Sequence, residues 1–151
     1  MLDRQKLYPI SPSDAGVRAL VSRHYSVKRP HSDSWWSPAN TLCLTNVDRT
    51  IVFVWQNPNP EYRRDGQVGY NCSLFRNEDT RLSSEIILEA EQIVNELWGK
   101  ARLYTYVDAN QVASRNPGYC FKKAGWHHIG KSKSGKLLFE KLANLMLIVR
   151  P

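Results

Sequence analysis

Asn116-Pro117-Gly118-Tyr119-Cys120-Phe121-Lys122-Lys123-Ala124-Gly125-Trp126 is the stretch on which the fold of this chain turns. Proline suits the first turn of a helix, where its missing N–H has no partner anyway, and glycine ends helices because it enters the left-handed region at little cost. The segment between Pro117 and Gly125 therefore predicts a helix of about two turns. Behind it, Arg102-Leu-Tyr-Thr-Tyr-Val-Asp108 has the β-branched and aromatic content of a strand, and Trp126-His-His-Ile129 ahead reads the same way. A short helix between two strands belongs to an alternating α/β chain and lies near the end of a sheet, where open α/β folds take their ligands.

Working towards the N-terminus, Ser84–Trp98 is the longest helical pattern, with Ile86, Ile87, Ala90, Ile93, Val94 and Leu97 on one face. Ser83 or Ser84 is expected to cap its first amides and Gly99 to end it. The turn Arg76-Asn-Glu-Asp-Thr-Arg-Leu-Ser83 leads into it. Before that come three strands expected to be antiparallel neighbours, Thr41–Thr45, Thr50–Trp55 and Gln67–Phe75. The first two are joined by a hairpin at 46–49, and a polar, proline-bearing excursion over 56–66 precedes the third. Residues 27–40 read as a loop in which Trp35 and Trp36 either lid the core or offer a stacking surface to a base. A helix over 14–25, started by Ser11-Pro12-Ser13-Asp14 and carrying Val17, Leu20, Val21 and Tyr25, follows a short strand within Lys6–Ile10.

Towards the C-terminus, a one-turn element is expected near 109–113, and strands around 126–130 and 136–142 meet at a hairpin, Lys131-Ser-Lys-Ser-Gly135. The sum is an α/β (α+β) fold: one domain over residues 1–151, with a mixed, mostly antiparallel sheet flanked by helices.

Composition bounds the function. The 151 residues, 42% hydrophobic and 11% aromatic, supply one sizeable core. No apolar run approaches a membrane span and Met1–Lys6 lacks the form of a secretory signal, so the expected location is cytoplasmic. Cys43, Cys72 and Cys120 form no CxxC, which predicts reduced thiols with Cys43 and Cys72 buried on strands. The formal charge of +7 favours encounter with a polyanion, either nucleic acid or a phosphorylated cofactor, or else describes a plainly basic surface.

The element order resembles that of the GNAT acyltransferases, and Cys120-Phe121-Lys122-Lys123-Ala124-Gly125-Trp126 looks like their final helix and strand. More narrowly, His24-Tyr25-Ser26, Arg76-Asn77, Ser84-Glu85, Asn116-Pro117-Gly118-Tyr119 and Lys123-Ala-Gly-Trp126, in this order, resemble the phage Mom family. Members of that family are GNAT-like proteins implicated in modifying adenine in DNA against host restriction. The resemblance implies an enzyme of the phage-infected bacterial cell acting on double-stranded DNA with acetyl-CoA or another acyl-CoA. The transferred group, the target sequence, any metal and the oligomeric state, a homodimer included, stay open. Two departures stand out. The turn into the long helix has no glycine, so cofactor phosphates would rest on Arg76, Arg81, Ser83, Ser84 and the helix amides. Phe121 stands where many GNAT enzymes carry a tyrosine acid.

An exocyclic adenine amine is a poor nucleophile that has to be positioned and relieved of a proton. Asp108, at the carboxyl end of a strand, is the first candidate to orient or deprotonate it, or else it caps the next turn. His24 is the second candidate base, and Tyr119 the candidate acid or substrate contact. Reaching a base inside a duplex requires extrusion, with cations on the backbone and aromatic surface for the base. Lys28, Arg29, Arg63, Arg64, Lys122, Lys123, Lys131, Lys133 and Lys136 are the candidate cations. Tyr25, Ser26, Trp35 and Trp36 are the other candidate DNA contacts. A GNAT enzyme acting on a small amine or a protein, and a binding protein that kept the fold without catalysis, are the alternative readings.

Overall fold

Side chains alternate across a strand, so a strand with both faces apolar has to lie between two layers. Ile51-Val-Phe-Val-Trp55 is such a strand, and every one of these residues is buried. It forms the middle of the first half of a seven-stranded sheet in the computed structural model, which describes residues 3–23, 40–57, 66–111 and 116–143.

The strands are β1 (Tyr8–Pro9), β2 (Thr41–Thr45), β3 (Ile51–Gln56), β4 (Tyr70–Asn77), β5 (Leu103–Val107), β6 (His127–Lys131) and β7 (Leu137–Lys141). The helices are α1 (Ala15–Val21), α2 (Ser83–Trp98) and α3 (Tyr119–Lys123). Sheet order is β1-β2-β3-β4-β5-β7-β6, antiparallel throughout except for β4 and β5. The fold is thus an α+β domain with a mixed sheet, as expected, and β2, β3 and β4 are the expected antiparallel neighbours. α3 leads from β5 to the edge strand β6, and β7 then returns between them.

The two faces carry separate cores. On one, Ile86, Ile87, Ala90 and Val94 of α2 pack against Leu42, Leu44, Phe53, Trp55, Leu103, Phe121, Trp126 and Phe139. On the other, Val17, Leu20 and Val21 of α1 cover Cys43, Val52, Val54 and Leu74. Asp14 caps α1, its carboxylate accepting from the Val17 amide, and it is held in turn by Arg49 at 3.1 Å from the β2–β3 turn. Cys43 and Cys72 are buried free thiols, as their apolar surroundings predict.

Four expectations need correction. The helix of about two turns is only Tyr119–Lys123, because Pro117 lies in the turn before it and Gly118 holds the N-cap position at φ 79°. Its other end is as expected. Gly125 is left-handed, its N–H donates to Lys122 O and that of Trp126 to Phe121 O, a Schellman closure sealed by the Phe121–Trp126 ring contact at 4.9 Å. Secondly, Leu82 and not a serine caps α2, and no side chain bonds its first amides. Ser83 Oγ instead accepts from Asn77 Nδ2 at 3.0 Å. Thirdly, β4 begins and ends later than its composition suggests, because its pairing with β5 starts at Tyr70↔Leu103 and its pairing with β3 continues to Asn77↔Ile51. Lastly, α1 proper ends at Val21, short of the expected 25.

Candidate functional site

The site begins with a slip in register. β3 and β4 pair Val54 with Leu74 but Trp55 with Cys72, so Ser73 is an extra residue, a bulge, on β4. A bulge bends its strand and sharpens the local twist. On its other side, β4 pairs in parallel with β5 only over Tyr70↔Leu103, Asn71↔Tyr104 and Cys72↔Thr105. Thr105, buried, closes the last rung by donating its hydroxyl to Cys72 O at 2.8 Å. β5 stays bound to β7 along its length while β4 stays bound to β3, so the two strands part after Thr105.

The parting leaves a groove of about 150 Å³ between Cys72–Phe75 and Thr105–Val107, closed at one end by Gly118, Cys120 and Phe121. An apolar cavity of about 150 Å³ accommodates one benzene ring. Its walls are mostly apolar. Ser73 Oγ is buried with no hydrogen-bond partner among the described residues. A buried hydroxyl left unpaired costs about 1–3 kcal/mol, and Ser73 carries that cost beside the groove. Gly118 shapes the end of the groove: a Cβ there would lie 2.3 Å from the Phe139 ring. Burial pushes the Cys120 thiol up, which keeps it protonated and a poor nucleophile.

The carboxyl ends of β4 and β5 bring several sequence candidates to one edge. Asp108 follows Val107 directly, and its Oδ1 accepts from the Asn110 N–H at 3.0 Å, the local turn-capping role foreseen as its alternative. Tyr119 flanks the groove between Gly118 and Cys120, with 52% of its surface exposed. Arg76 follows Phe75, yet its Nε donates to Glu78 at 2.7 Å and its Nη1 to Arg23 O at 3.0 Å. Arg81 turns another way, pairing with Glu89 at 2.7 Å and donating to Gln5 O at 3.1 Å. The two guanidiniums therefore do not converge over the first turn of α2. Ser83 and Ser84 are part-buried in that turn. Lys122 Nζ donates to Asn116 Oδ1 at 2.8 Å and lies 5.8 Å from the Phe139 ring centroid, while Lys123 is exposed.

His24, Tyr25, Ser26, Lys28, Arg29, Trp35, Trp36, Arg63 and Arg64 lie outside the described residues. Among those described, no group of three or more His, Cys, Asp or Glu side chains is placed to hold a metal ion, and no helix is long and apolar enough to cross a membrane.

Sequence reasoning missed Ser73 and the clash that reserves position 118 for glycine. The first left a faint trace. Tyr70, Cys72 and Leu74 keep period two, but Leu74 and Phe75 are adjacent apolar residues, the mark of a strand that slips a face.

No family model, curated protein or solved structure matches the chain.

Proposed function

We propose that the chain is a GNAT-like transferase, most similar to the Mom family, that places a group from acetyl-CoA or another acyl-CoA on the exocyclic amine of adenine in double-stranded DNA. The observation that carries this is the parallel pair β4–β5 parting at the Ser73 bulge. Two strands that stop pairing leave backbone edges along which an extended, amide-bearing arm can lie as a third strand. The pantetheine arm of coenzyme A has that shape and chemistry.

The residues present fit such a cofactor in part. Ser73 supplies an unpartnered hydroxyl and Phe121 an apolar wall. Bound acyl-CoA would bring an activated thioester. The α2 amides, free of any side-chain cap, can meet its phosphates. Arg76 and Arg81 would have to leave Glu78 and Glu89 to join them.

For the acceptor, Asp108 follows the groove-lining Val107, and its second oxygen, without a partner among the described residues, would orient an amine. Tyr119, exposed at the start of α3, carries the hydroxyl that Phe121 lacks. His24 remains the second candidate base.

Nucleoside mass spectrometry on plasmid DNA from cells expressing the chain should show a new adenine species. Unmodified nucleosides alongside folded protein would overturn the reading. Turnover of acetyl-CoA on small amines or proteins without DNA would favour an ordinary GNAT acyltransferase. The ion pairs holding both arginines, together with Phe121, favour a non-catalytic GNAT-fold binding protein as the second reading. Calorimetry with acetyl-CoA separates it, since that protein should release no binding heat.

A further inference from the structure

A second cavity, of about 490 Å³, is lined by Lys131, Lys133 and Lys136 of the β6–β7 hairpin together with Tyr106 and Gln67. Tyr106 also lines the β4–β5 groove, so the two cavities share a wall. No carboxylate lines the basin, and none of the three ammonium groups has an ion-pair partner among the described residues, whereas Lys141 on the same strand pair is neutralised by Glu91 at 2.7 Å. α1 packs over β2, β3 and β4 on its face of the sheet, and no described helix lies over β5 and β7 there. Three like charges held around one concavity repel one another until an anion enters, and such a concavity focuses the field that attracts it.

We infer that this basin binds the phosphodiester backbone of nucleic acid. Lysines act on phosphates as point charges, so the site is indifferent to sequence. Its volume exceeds what one phosphate needs and suits a short run of backbone. The inference rests on the DNA-acting transferase reading for its biological sense, but its test reads binding and not transfer.

The experiment compares Lys131→Gln/Lys133→Gln with Lys6→Gln/Lys100→Gln, two doubles of equal charge change at exposed positions, each checked by thermal melting. Affinity for a fluorescent 20-base-pair duplex is measured from about 50 to 200 mM salt. The basin double should lose at least tenfold and lower the slope of log K against log salt by about 1.8, since each lysine–phosphate pair supplies about 0.9. The control double should lose less than twofold. Equal losses in the two doubles, or none in either, would overturn the site. So would inorganic tripolyphosphate or coenzyme A displacing the duplex from wild-type protein at equal phosphate, which would mark a small-anion site. Wild-type protein that binds duplex through these lysines but leaves adenine unmodified removes the transferase reading and keeps the basin. Modification that persists unchanged in the basin double does the reverse.

Discussion

Two positions in the groove separate function from stability. At Ser73 the hydroxyl is buried and unpartnered, so Ser73→Ala removes a desolvated group without breaking a bond of the folded chain. Urea unfolding should show stability unchanged or raised by about 1 kcal/mol, while calorimetry shows weaker acetyl-CoA binding. A variant that is less stable and binds as before would place the hydroxyl in structure instead. Gly118 carries the opposite expectation. Its φ of 79° and the Phe139 ring 2.3 Å from an added Cβ make Gly118→Ala strained twice over. A loss of about 2–5 kcal/mol is expected, combining left-handed strain with overpacking, read as a fall in the urea midpoint.

Between elements, two polar ties hold the layers. Glu78 accepts from Arg23, just beyond α1, at 2.8 Å and from Arg76 on β4 at 2.7 Å, and these guanidiniums hold its carboxyl down to about 2 from 4.5. Because the folded value is the lower one, the stability this contributes is complete above pH 4.5 and is lost as pH falls towards 2. Carboxyl NMR titration should find Glu78 titrating near 2, and Arg23→Gln should return it towards 4.5. A titration unmoved by that change would remove the tie. On the opposite face, buried Glu91 of α2 accepts from Trp126 Nε1 at 3.0 Å and pairs with Lys141 of β7 at 2.7 Å, while Lys141 also donates to Ala124 O. Glu91→Ala strands a buried indole N–H and an ammonium together, and about 3 kcal/mol should be lost in chemical unfolding, with less for Glu91→Gln.

At the scale of the whole molecule, a ligand that binds only the folded chain raises its stability by mass action. Acetyl-CoA at 100 times its Kd should add about 2.7 kcal/mol, or about 5–10 °C in Tm for a chain of this size. A melting curve indifferent to the cofactor would weigh heavily against the transferase reading. Local signals in the sequence located the strands, the long helix, its end at Gly99 and the Gly125 closure of α3, because apolar period and glycine act within a few residues. The lysines of the hairpin were legible too, as charge. What only tertiary structure decided depends on residues far apart in the chain. Ser73 matters because β3 pairs across it out of step while β5 is held away by β7. Leu82 caps α2 because Asn77 occupies Ser83, and Pro117 falls outside its helix because Phe139 fixes the backbone at Gly118. Arginines that look free beside a helix start are engaged by Glu78 and Glu89. Periodicity along a chain fixes which face a residue presents, but the partner it meets there is set by packing between elements, and that is where this groove was made.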